Sequence, residues 1–346
     1  MRNMAVVQFG RPLAPVDLEV PRPGPGEVLV RVLACGVCRS DLKIAGGHMP
    51  FSSSQRLPHV PGHEVSGEVA ETGPGVELVR GQRVVVHNYW GCGRCPYCVD
   101  GQENLCDALR GWVGFTSPGG FEEYLLVPAD HLLPVPARVD PVQAATVSCA
   151  LGTAYHAVVT RGAVRAGETV AVVGAGGVGL YAVQVARAAG ARAVAVDVRE
   201  SALEAARAVG ADAAVDPAGA PAAVGGLTRG RGADVVVDCV GNPGGSALAV
   251  ELVRKGGRLV QVGYVTDPQQ YPTLPTDRVV LRELQVVGSR YVTRPELARA
   301  LELVASGTLK PVVSRVVDLE QANEALEDVR QERAVGRVVV RVAQDL

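Results

Sequence analysis

The order of apolar and polar residues divides the chain into two parts. Up to about residue 140, short apolar runs typical of β-strands are separated by turns rich in Pro and Gly, such as 21–26. These runs are 27–34, 64–70, 82–87 and 121–127. The pattern predicts an all-β unit.

Beyond residue 150 the pattern changes to an alternation of strands and helices. The apolar run Thr169–Val173 predicts a buried strand, the spacing over 177–189 predicts a helix, and 193–197 predicts another strand. The alternation continues to about residue 262, which predicts a parallel sheet with right-handed crossovers. Two helical segments (295–306 and 319–331) and a strand (337–342) follow, and the pattern alone assigns them to neither unit.

Length and composition narrow the class of protein. A chain of 346 residues usually forms more than one hydrophobic core, so two domains are expected. The net charge is −2 and no basic stripe is present, which argues against nucleic-acid binding. Apolar runs are shorter than the roughly 20 residues of a membrane helix, and no export signal is recognisable. We therefore expect a cytoplasmic protein that binds small molecules, not nucleic acid or membrane.

A glycine-rich loop follows the predicted strand Thr169–Val173 and opens the next helix. Its sequence, Gly174-Ala-Gly-Gly-Val-Gly179, fits G-x-G-x-x-G, in which the backbone approaches a pyrophosphate at the helix N-terminus. Asp197 ends the next strand, where a carboxylate accepts hydrogen bonds from the adenosine ribose and disfavours a 2′-phosphate. This predicts NAD rather than NADP. A helix-capping role is the rival interpretation of Asp197. Arg199 could weaken the discrimination against NADP.

Four cysteines lie close together in a Gly-containing loop. Four soft ligands on a short span suit a tetrahedral zinc ion that is closed to solvent and therefore structural. Iron–sulfur ligation is the main rival interpretation. The four residues are Cys92, Cys95, Cys98 and Cys106.

A second set of metal-ligand residues is dispersed along the chain. It consists of Cys38, the pair His63-Glu64, and Cys149. Taken singly, such a residue is more often packed in a core than bound to a metal. Two thiolates and one imidazole would leave a fourth zinc position open, as a catalytic site requires.

Together these motifs resemble the zinc-containing alcohol dehydrogenases of the medium-chain dehydrogenase/reductase superfamily. Gly-Val-Cys-Arg-Ser-Asp, Gly-His-Glu, the four-cysteine loop, Cys-Ala-Leu-Gly-Thr and the glycine loop occur in the family's order. The resemblance implies an α/β protein with a GroES-like all-β catalytic domain at 1–149. It further implies a Rossmann domain, a doubly wound parallel sheet that binds the coenzyme, at 150–287. The chain would then return to the catalytic domain at 288–346.

The resemblance also implies roles for the dispersed residues. Cys38, His63 and Cys149 would bind the catalytic zinc, and Glu64 would enter its coordination shell as water exchanges. Asp41 would accept a hydrogen bond from the other ring nitrogen of His63 and so fix the orientation of the imidazole.

A proton relay is implied in the segment after Cys38. Ser40 would hydrogen-bond the alcohol oxygen and pass its proton to the cofactor ribose. The next relay position, often histidine in the family, is Lys43 here. Lys43 could complete the relay, His48 could replace it, or the ribose hydroxyl could release the proton to water. A solvated surface charge is the rival interpretation of Lys43.

For the cofactor, the resemblance implies that Thr153 and Val178 contact the nicotinamide and that Arg39 and Arg337 offer charge to the pyrophosphate. The full set assigned to the cofactor site is Arg39, Thr153, Gly174, Gly176, Gly177, Val178, Gly179, Asp197, Arg199, Val240, Val262 and Arg337.

The predicted function is the zinc-dependent, NAD-linked, reversible oxidation of a primary or secondary alcohol to an aldehyde or ketone. We expect two zinc ions per chain and, from the family, a homotetramer or homodimer. A polyol or sugar-alcohol dehydrogenase of the same superfamily is the first alternative, and a non-catalytic NAD-binding protein is the second. Trp and Tyr residues near the motifs, Trp112 among them, suggest an apolar or aromatic substrate, although such residues are equally often part of a core.

Overall fold

The computed structural model describes residues 1–344, which form two compact units. The strands, in chain order, are β1 (Glu27–Val37), β2 (Glu64–Thr72), β3 (Arg83–Val86), β4 (Tyr89–Trp90), β5 (Gly111–Trp112), β6 (Tyr124–Pro128), β7 (Leu132–Pro134), β8 (Thr169–Val173), β9 (Arg192–Val196), β10 (Ala213–Val215), β11 (Ala233–Asp238), β12 (Val253–Gln261), β13 (Gln285–Gly288), β14 (Val313–Asp318) and β15 (Arg337–Arg341).

The α-helices are α1 (Arg39–Gly46), α2 (Pro96–Val99), α3 (Pro141–Ala145), α4 (Gly152–Tyr155), α5 (Gly177–Ala188), α6 (Glu200–Ala208), α7 (Ala220–Thr228), α8 (Pro243–Leu252), α9 (Thr276–Leu281), α10 (Arg294–Ala305) and α11 (Ala322–Arg330). Two π-helical turns, Val147–Leu151 and His156–Arg161, flank α4. Within residues 1–344, no helix combines the length and apolar character needed to cross a bilayer.

The first unit is built on a mainly antiparallel sheet. It contains 1–149, 293–305 and the described chain from Val313. Its strands lie in the order β14-β15-β1-β2-β3-β7, with β6 beside β1, and only β14 and β15 run parallel. Phe115, Phe121 and Leu125 are fully buried in its core. The long strand β1 ends directly before Cys38, so the sheet fixes where that thiol lies.

The second unit is a six-stranded parallel sheet flanked by helices. Its order is β10-β9-β8-β11-β12-β13, so the chain runs outward from β8 to one edge, returns to β11, and continues to the other edge. Every residue of Thr169–Val173 is buried, as expected for a strand covered on both faces. The sheet confirms the doubly wound fold predicted from the alternating pattern, and its reversal between β8 and β11 is where such sheets bind ligands.

The two units do not divide the chain at the predicted residue 288. Residues 289–292 remain in the second unit, where the Ser289 N–H donates to the Gln261 carbonyl at 2.9 Å. The segment 306–312 also belongs there, because the buried amide of Gln184 donates to the Lys310 carbonyl (3.0 Å) and accepts from the Lys310 N–H (2.7 Å). A periodicity argument cannot see this pairing, because it joins α5 to a turn far along the chain.

The glycine loop provides a stability test of the second unit. A Cβ at Gly179 would lie 1.8 Å from the Gly174 carbonyl oxygen, whereas a Cβ at Gly176 would meet no atom within 4 Å. We predict that Gly179→Ala lowers the free energy of unfolding by about 3 kcal/mol, because the backbone at Gly174 or at residue 179 must move to make room for the methyl group. Gly176→Ala, the matched control at the N-cap of α5, should lose at most about 1 kcal/mol. Urea unfolding measures both, and equal losses would contradict the steric argument.

Candidate metal and dinucleotide sites

The dispersed metal-ligand residues converge in the first unit. The ligand atoms of Cys38, His63, Glu64 and Cys149 all lie within 4.8 Å of one another, and all but Cys38 are buried. Nε2 of His63 is buried and, among the described residues, has no hydrogen-bond partner. A buried imidazole nitrogen beside two thiols is the donor set that zinc prefers, so these residues fit a zinc ion.

The sheet of the first unit explains why these residues meet. Cys38 follows β1 and precedes α1, and His63 directly precedes β2. Because β1 and β2 pair with Gly36 opposite Glu64, the two motifs lie side by side. A Cβ at Gly36 would lie 2.3 Å from a Glu64 carboxylate oxygen, so glycine makes room for that side chain. Cys149 reaches the cluster from the π-helical turn Val147–Leu151, a rare conformation that is frequent at functional sites.

Asp41 connects two of the ligand residues. Its Oδ1 accepts from Nδ1 of His63 at 3.0 Å, and its Oδ2 accepts from the Cys38 backbone N–H at 2.8 Å. Asp41 and His63 are both fully buried. The bond at Nδ1 leaves Nε2 as the nitrogen that can bind a metal, which is the orienting contact expected behind a histidine ligand.

Glu64 and Arg337 form a buried ion pair at the same cluster. Nη2 of Arg337 lies 2.8 Å from Oε1 of Glu64 and 3.7 Å from Sγ of Cys38. Burial raises the pKa of Glu64 to about 7, although the Arg337 cation works in the opposite direction. Hydrogen bonding from Cys149 lowers the pKa of the Cys38 thiol well below its ordinary value, and Arg337 adds to this effect. Arg337, which the resemblance directs to a pyrophosphate, thus contacts the metal-ligand cluster in this structure.

The four clustered cysteines form a second candidate metal site in the first unit. Their sulfur atoms lie within 4.8 Å of one another, and Sγ of Cys95 lies 3.8 Å from Sγ of Cys106. Sulfur atoms 2.3 Å from a tetrahedral zinc ion would be about 3.8 Å apart. Backbone N–H groups of Arg94 and Cys95 lower the pKa of Cys92 to about 6, whereas burial raises that of Cys98 to about 12. Four thiolates together therefore require a cation, and these residues fit zinc.

The glycine loop lies at the carboxyl end of β8 in the second unit. Gly174 has φ +91°, and Gly176 is the N-cap of α5, so the free backbone N–H groups of that helix begin at the loop. Val240 follows β11 and Val262 follows β12, at the same edge of the sheet. The loop, Val240 and Val262 therefore share the edge where a dinucleotide binds in such a sheet.

Asp197 lies after β9 and is already hydrogen-bonded. Its Oδ2 accepts from the Ala175 N–H of the glycine loop at 2.9 Å, and its Oδ1 accepts from the backbone N–H and Nε of Arg199 at 3.0 and 3.2 Å. The hydrogen bond from Ala175 therefore holds the Asp197 side chain against the glycine loop. The ion pair with Arg199 reduces the negative charge that a 2′-phosphate would meet.

The remaining predicted site residues lie on or directly after helices of the two units. Ser40 and Lys43 are half-buried, one turn apart on α1, while His48 lies beyond the C-cap of that helix and is exposed. Arg39 is exposed and pairs with Glu332 at 2.7 Å. Two further predicted cofactor residues belong to the second unit, Thr153 in α4 and Val178 in α5.

An aromatic cluster beside His63 was not predicted in full. The ring of Phe115 lies 4.8 Å from that of His63 and stacks on Trp112 at 3.8 Å with an interplanar angle of 8°. Phe51 packs against both Trp112 and Phe115. Of these residues only Trp112 was suggested from the sequence, because Phe51 and Phe115 lie in loops without a recognisable motif.

The motifs and the fold are matched by two family models. The model described as alcohol dehydrogenase GroES-like domain covers residues 24–137, and the model described as zinc-binding dehydrogenase covers residues 177–306. The chain belongs to the zinc-containing alcohol dehydrogenase family. This membership confirms the family and the two-part fold that the sequence motifs indicated.

Relatives of the same family match over nearly the whole chain. An alcohol dehydrogenase of Geobacillus stearothermophilus is 38% identical and covers 99% of this chain and 100% of its own length. An NAD-dependent alcohol dehydrogenase of Sulfurisphaera tokodaii is 34% identical, with coverages of 98% and 99%. A crystal structure of an NAD-dependent alcohol dehydrogenase superposes with a TM-score of 0.93 at 35% identity, covering 99% of this chain and 100% of the other. The likeness to this alcohol dehydrogenase therefore extends over both units.

The role of Asp41 can be tested through metal affinity. In Asp41→Asn, the amide oxygen can accept from only one of the two donors, and the NH2 group would face the other, either the Cys38 N–H or Nδ1 of His63. We predict a loss of about 10–100-fold in zinc affinity at this cluster, measured by competition with a chromophoric chelator. Glu68→Gln, the same change in the partly exposed pair with Arg31 on the adjoining strands, is the control. Equal chelator curves for Asp41→Asn and the parent protein would refute an orienting role.

Proposed function

We propose that this alcohol dehydrogenase family member oxidises a primary or secondary alcohol reversibly with NAD, using zinc bound by Cys38, His63 and Cys149. The observation that carries the proposal is the convergence of two thiols on a buried imidazole nitrogen, Nε2 of His63, that has no hydrogen-bond partner within residues 1–344. Three protein ligands leave one zinc position for substrate, which distinguishes a catalytic site from a structural one. Glu64 lies in the same cluster and is the reserve ligand.

The cofactors and the residues of the chain have different roles in the proposed reaction. Zinc supplies Lewis acidity toward an oxygen atom, and NAD supplies the hydride acceptor. The residues of the chain orient these groups and move the proton: Asp41 holds the His63 ring, and Ser40 takes the proton of the alcohol. Ser40 passes it to the cofactor ribose, and Lys43, three residues after Ser40 on the same face of α1, is the proposed final acceptor. Burial lowers the pKa of the Lys43 amine, which favours its neutral, proton-accepting form.

NAD is the proposed cofactor because Asp197 lies where the adenosine ribose binds in such a sheet. The relatives named as NAD-dependent support this choice. The Asp197–Arg199 pair limits the strength of the preference, because Arg199 brings a positive charge to the position of a 2′-phosphate. Activity with NADP should therefore be lower, yet measurable.

The proposed substrate is an apolar or aromatic alcohol. Phe51 and Trp112 are half-buried and pack with the buried Phe115, whose ring lies next to His63, so the side chains that line this part of the site are apolar and aromatic. A polyol would need several polar partners in the same place, so the polyol alternative is less well supported. We also propose a second, structural zinc in the four-cysteine cluster, a homotetramer or homodimer, and a cytoplasmic location.

Steady-state kinetics and metal analysis test the proposed function. We predict two zinc ions per chain, oxidation of aromatic and simple alcohols with NAD, and lower kcat/KM with NADP and with polyols. One zinc ion, or iron, would overturn the two-site assignment. Absence of turnover across the alcohol panel in zinc-loaded protein would favour the non-catalytic alternative, and a preference for polyols would favour the sugar-alcohol alternative.

The proton relay can be tested separately. Ser40→Ala should reduce kcat for alcohol oxidation by about 10²–10⁴-fold, the usual effect of losing a positioned proton-transfer group, with NAD affinity nearly unchanged. Ser40→Thr keeps the hydroxyl and is the matched control. Lys43→Met keeps the apolar stem without the amine, so small primary amines should restore part of its lost activity. A Lys43→Met enzyme as active as the parent would leave His48 or the ribose hydroxyl as the route.

A further inference from the structure

Asp238 is a buried carboxylate that none of the assigned functions uses. It is the last residue of β11, in the second unit, and it is fully buried. A buried carboxylate is costly unless hydrogen bonds replace its hydration. Its partners therefore indicate what it stabilises.

The hydrogen bonds of Asp238 join the loops that follow two neighbouring strands. Its Oδ1 accepts from the backbone N–H groups of Val240 and Gly241, both at 2.9 Å. Its Oδ2 accepts from the Ser246 hydroxyl at 2.8 Å and from the Gln261 amide at 2.9 Å. The Asp238 carbonyl accepts from the backbone N–H groups at the start of the β12 loop, those of Val262 (3.0 Å) and Gly263 (2.9 Å).

The same two loops touch backbone to backbone. A Cβ at Gly241, which has φ +73°, would lie 2.1 Å from the Gly263 carbonyl carbon. A Cβ at Gly263 would lie 2.4 Å from the Val240 carbonyl carbon. With Gln261 also donating to the Gly263 carbonyl at 2.9 Å, the loops after β11 and β12 form one closely packed unit.

We propose that Asp238 is a positioning residue that holds these two loops in place for the nicotinamide half of the dinucleotide. The inference rests on the proposed NAD-linked function. The strand order β9-β8-β11-β12 gives the direction of the cofactor: Asp197 follows β9 and the glycine loop follows β8. A dinucleotide with its adenosine at β9 and its pyrophosphate at β8 extends next over the carboxyl ends of β11 and β12.

Replacement of Asp238 by asparagine affects the partners of Oδ1 and Oδ2 differently. The amide oxygen can still accept from Val240 and Gly241, whereas the amide nitrogen would face Ser246 and Gln261, which donate now. The serine hydroxyl can rotate to accept. Gln261 cannot turn its amide without placing its oxygen against the Gly263 carbonyl oxygen. The hydrogen bond between the side chains of residue 238 and Gln261 is therefore lost.

The same strand provides a matched control. Asp234 lies near the opposite, amino end of β11 and also bridges two groups, accepting from the Thr169 N–H at 2.8 Å and from Nε of Arg254 at 2.6 Å. Asp234→Asn therefore removes a comparable internal bridge at the edge of the sheet that does not bind the cofactor. Loss of this bridge should lower Tm. It should not weaken the binding of one part of the dinucleotide more than the other.

The test compares NADH with ADP-ribose, which lacks the nicotinamide, by equilibrium titration of the zinc-loaded protein. Asp238→Asn should raise Kd for NADH about 10-fold, while Kd for ADP-ribose changes less than about 2-fold. Asp234→Asn should change neither Kd by more than about 2-fold. Equal weakening of both ligands, or no weakening of either, in Asp238→Asn would overturn the inference.

Two milder variants keep the test informative if Asp238→Asn does not fold. Gln261→Leu and Ser246→Ala each remove one donor to the carboxylate and should weaken NADH selectively, by about 3-fold. An unchanged ratio of NADH to ADP-ribose affinity in both would overturn the inference. If the parent protein binds neither ligand, the proposed NAD-linked function itself fails, whereas normal binding by the parent with unchanged ratios in the variants rejects the role of Asp238 alone.

Discussion

The hydrogen bonds of the Asp41 carboxylate hold together two parts of the chain that are far apart in sequence. Besides Nδ1 of His63 and the Cys38 N–H, this carboxylate accepts weakly from the Gly62 N–H at 3.3 Å. Without these donors a fully buried carboxylate would be strongly unfavourable. The start of α1 and the segment before β2 are therefore held in one arrangement, and the imidazole has one nitrogen left for a metal. The geometry of the proposed catalytic site depends on this arrangement.

The charge balance of that site depends on Arg337. Two thiols and the Glu64 carboxylate lie together. Ionising any one of these groups costs more free energy once a neighbouring group is ionised. Arg337 counteracts this cost from β15, a strand that pairs with β1 and so lies next to Cys38. Arg337 thereby contributes to a proposed metal site whose candidate ligands all lie before residue 150. A bound metal cation would provide the same compensation more directly.

Sequence reasoning is most informative where the residues of a candidate site lie in one short segment. The glycine loop and the four-cysteine loop contain nearly all of their geometry within a few residues, so spacing alone indicates their chemistry. Cys149 is different, because it reaches its partners through a π-helical turn that no local pattern indicates. The roles of Arg337 and Asp238 depend on strand pairing and on contacts between loops. For Asp238 the sequence shows only an acidic residue at the end of an apolar run, which is also what a solvent-exposed strand end looks like.

Three carboxylates illustrate why burial and residue type do not by themselves identify a binding residue. An ionised carboxylate has about four acceptor positions. Asp238 uses its positions on donors of its own fold, so it can influence a ligand only through the loops that it holds. Asp41 likewise accepts from donors of its own fold, and it would act on a metal through His63. Asp197 differs because part of its acceptor capacity is taken by the side chain of Arg199, which is partly exposed. In the proposed NAD complex a ribose hydroxyl would compete for Asp197 with Arg199, so the arginine two residues away would set how strongly the carboxylate contributes to binding.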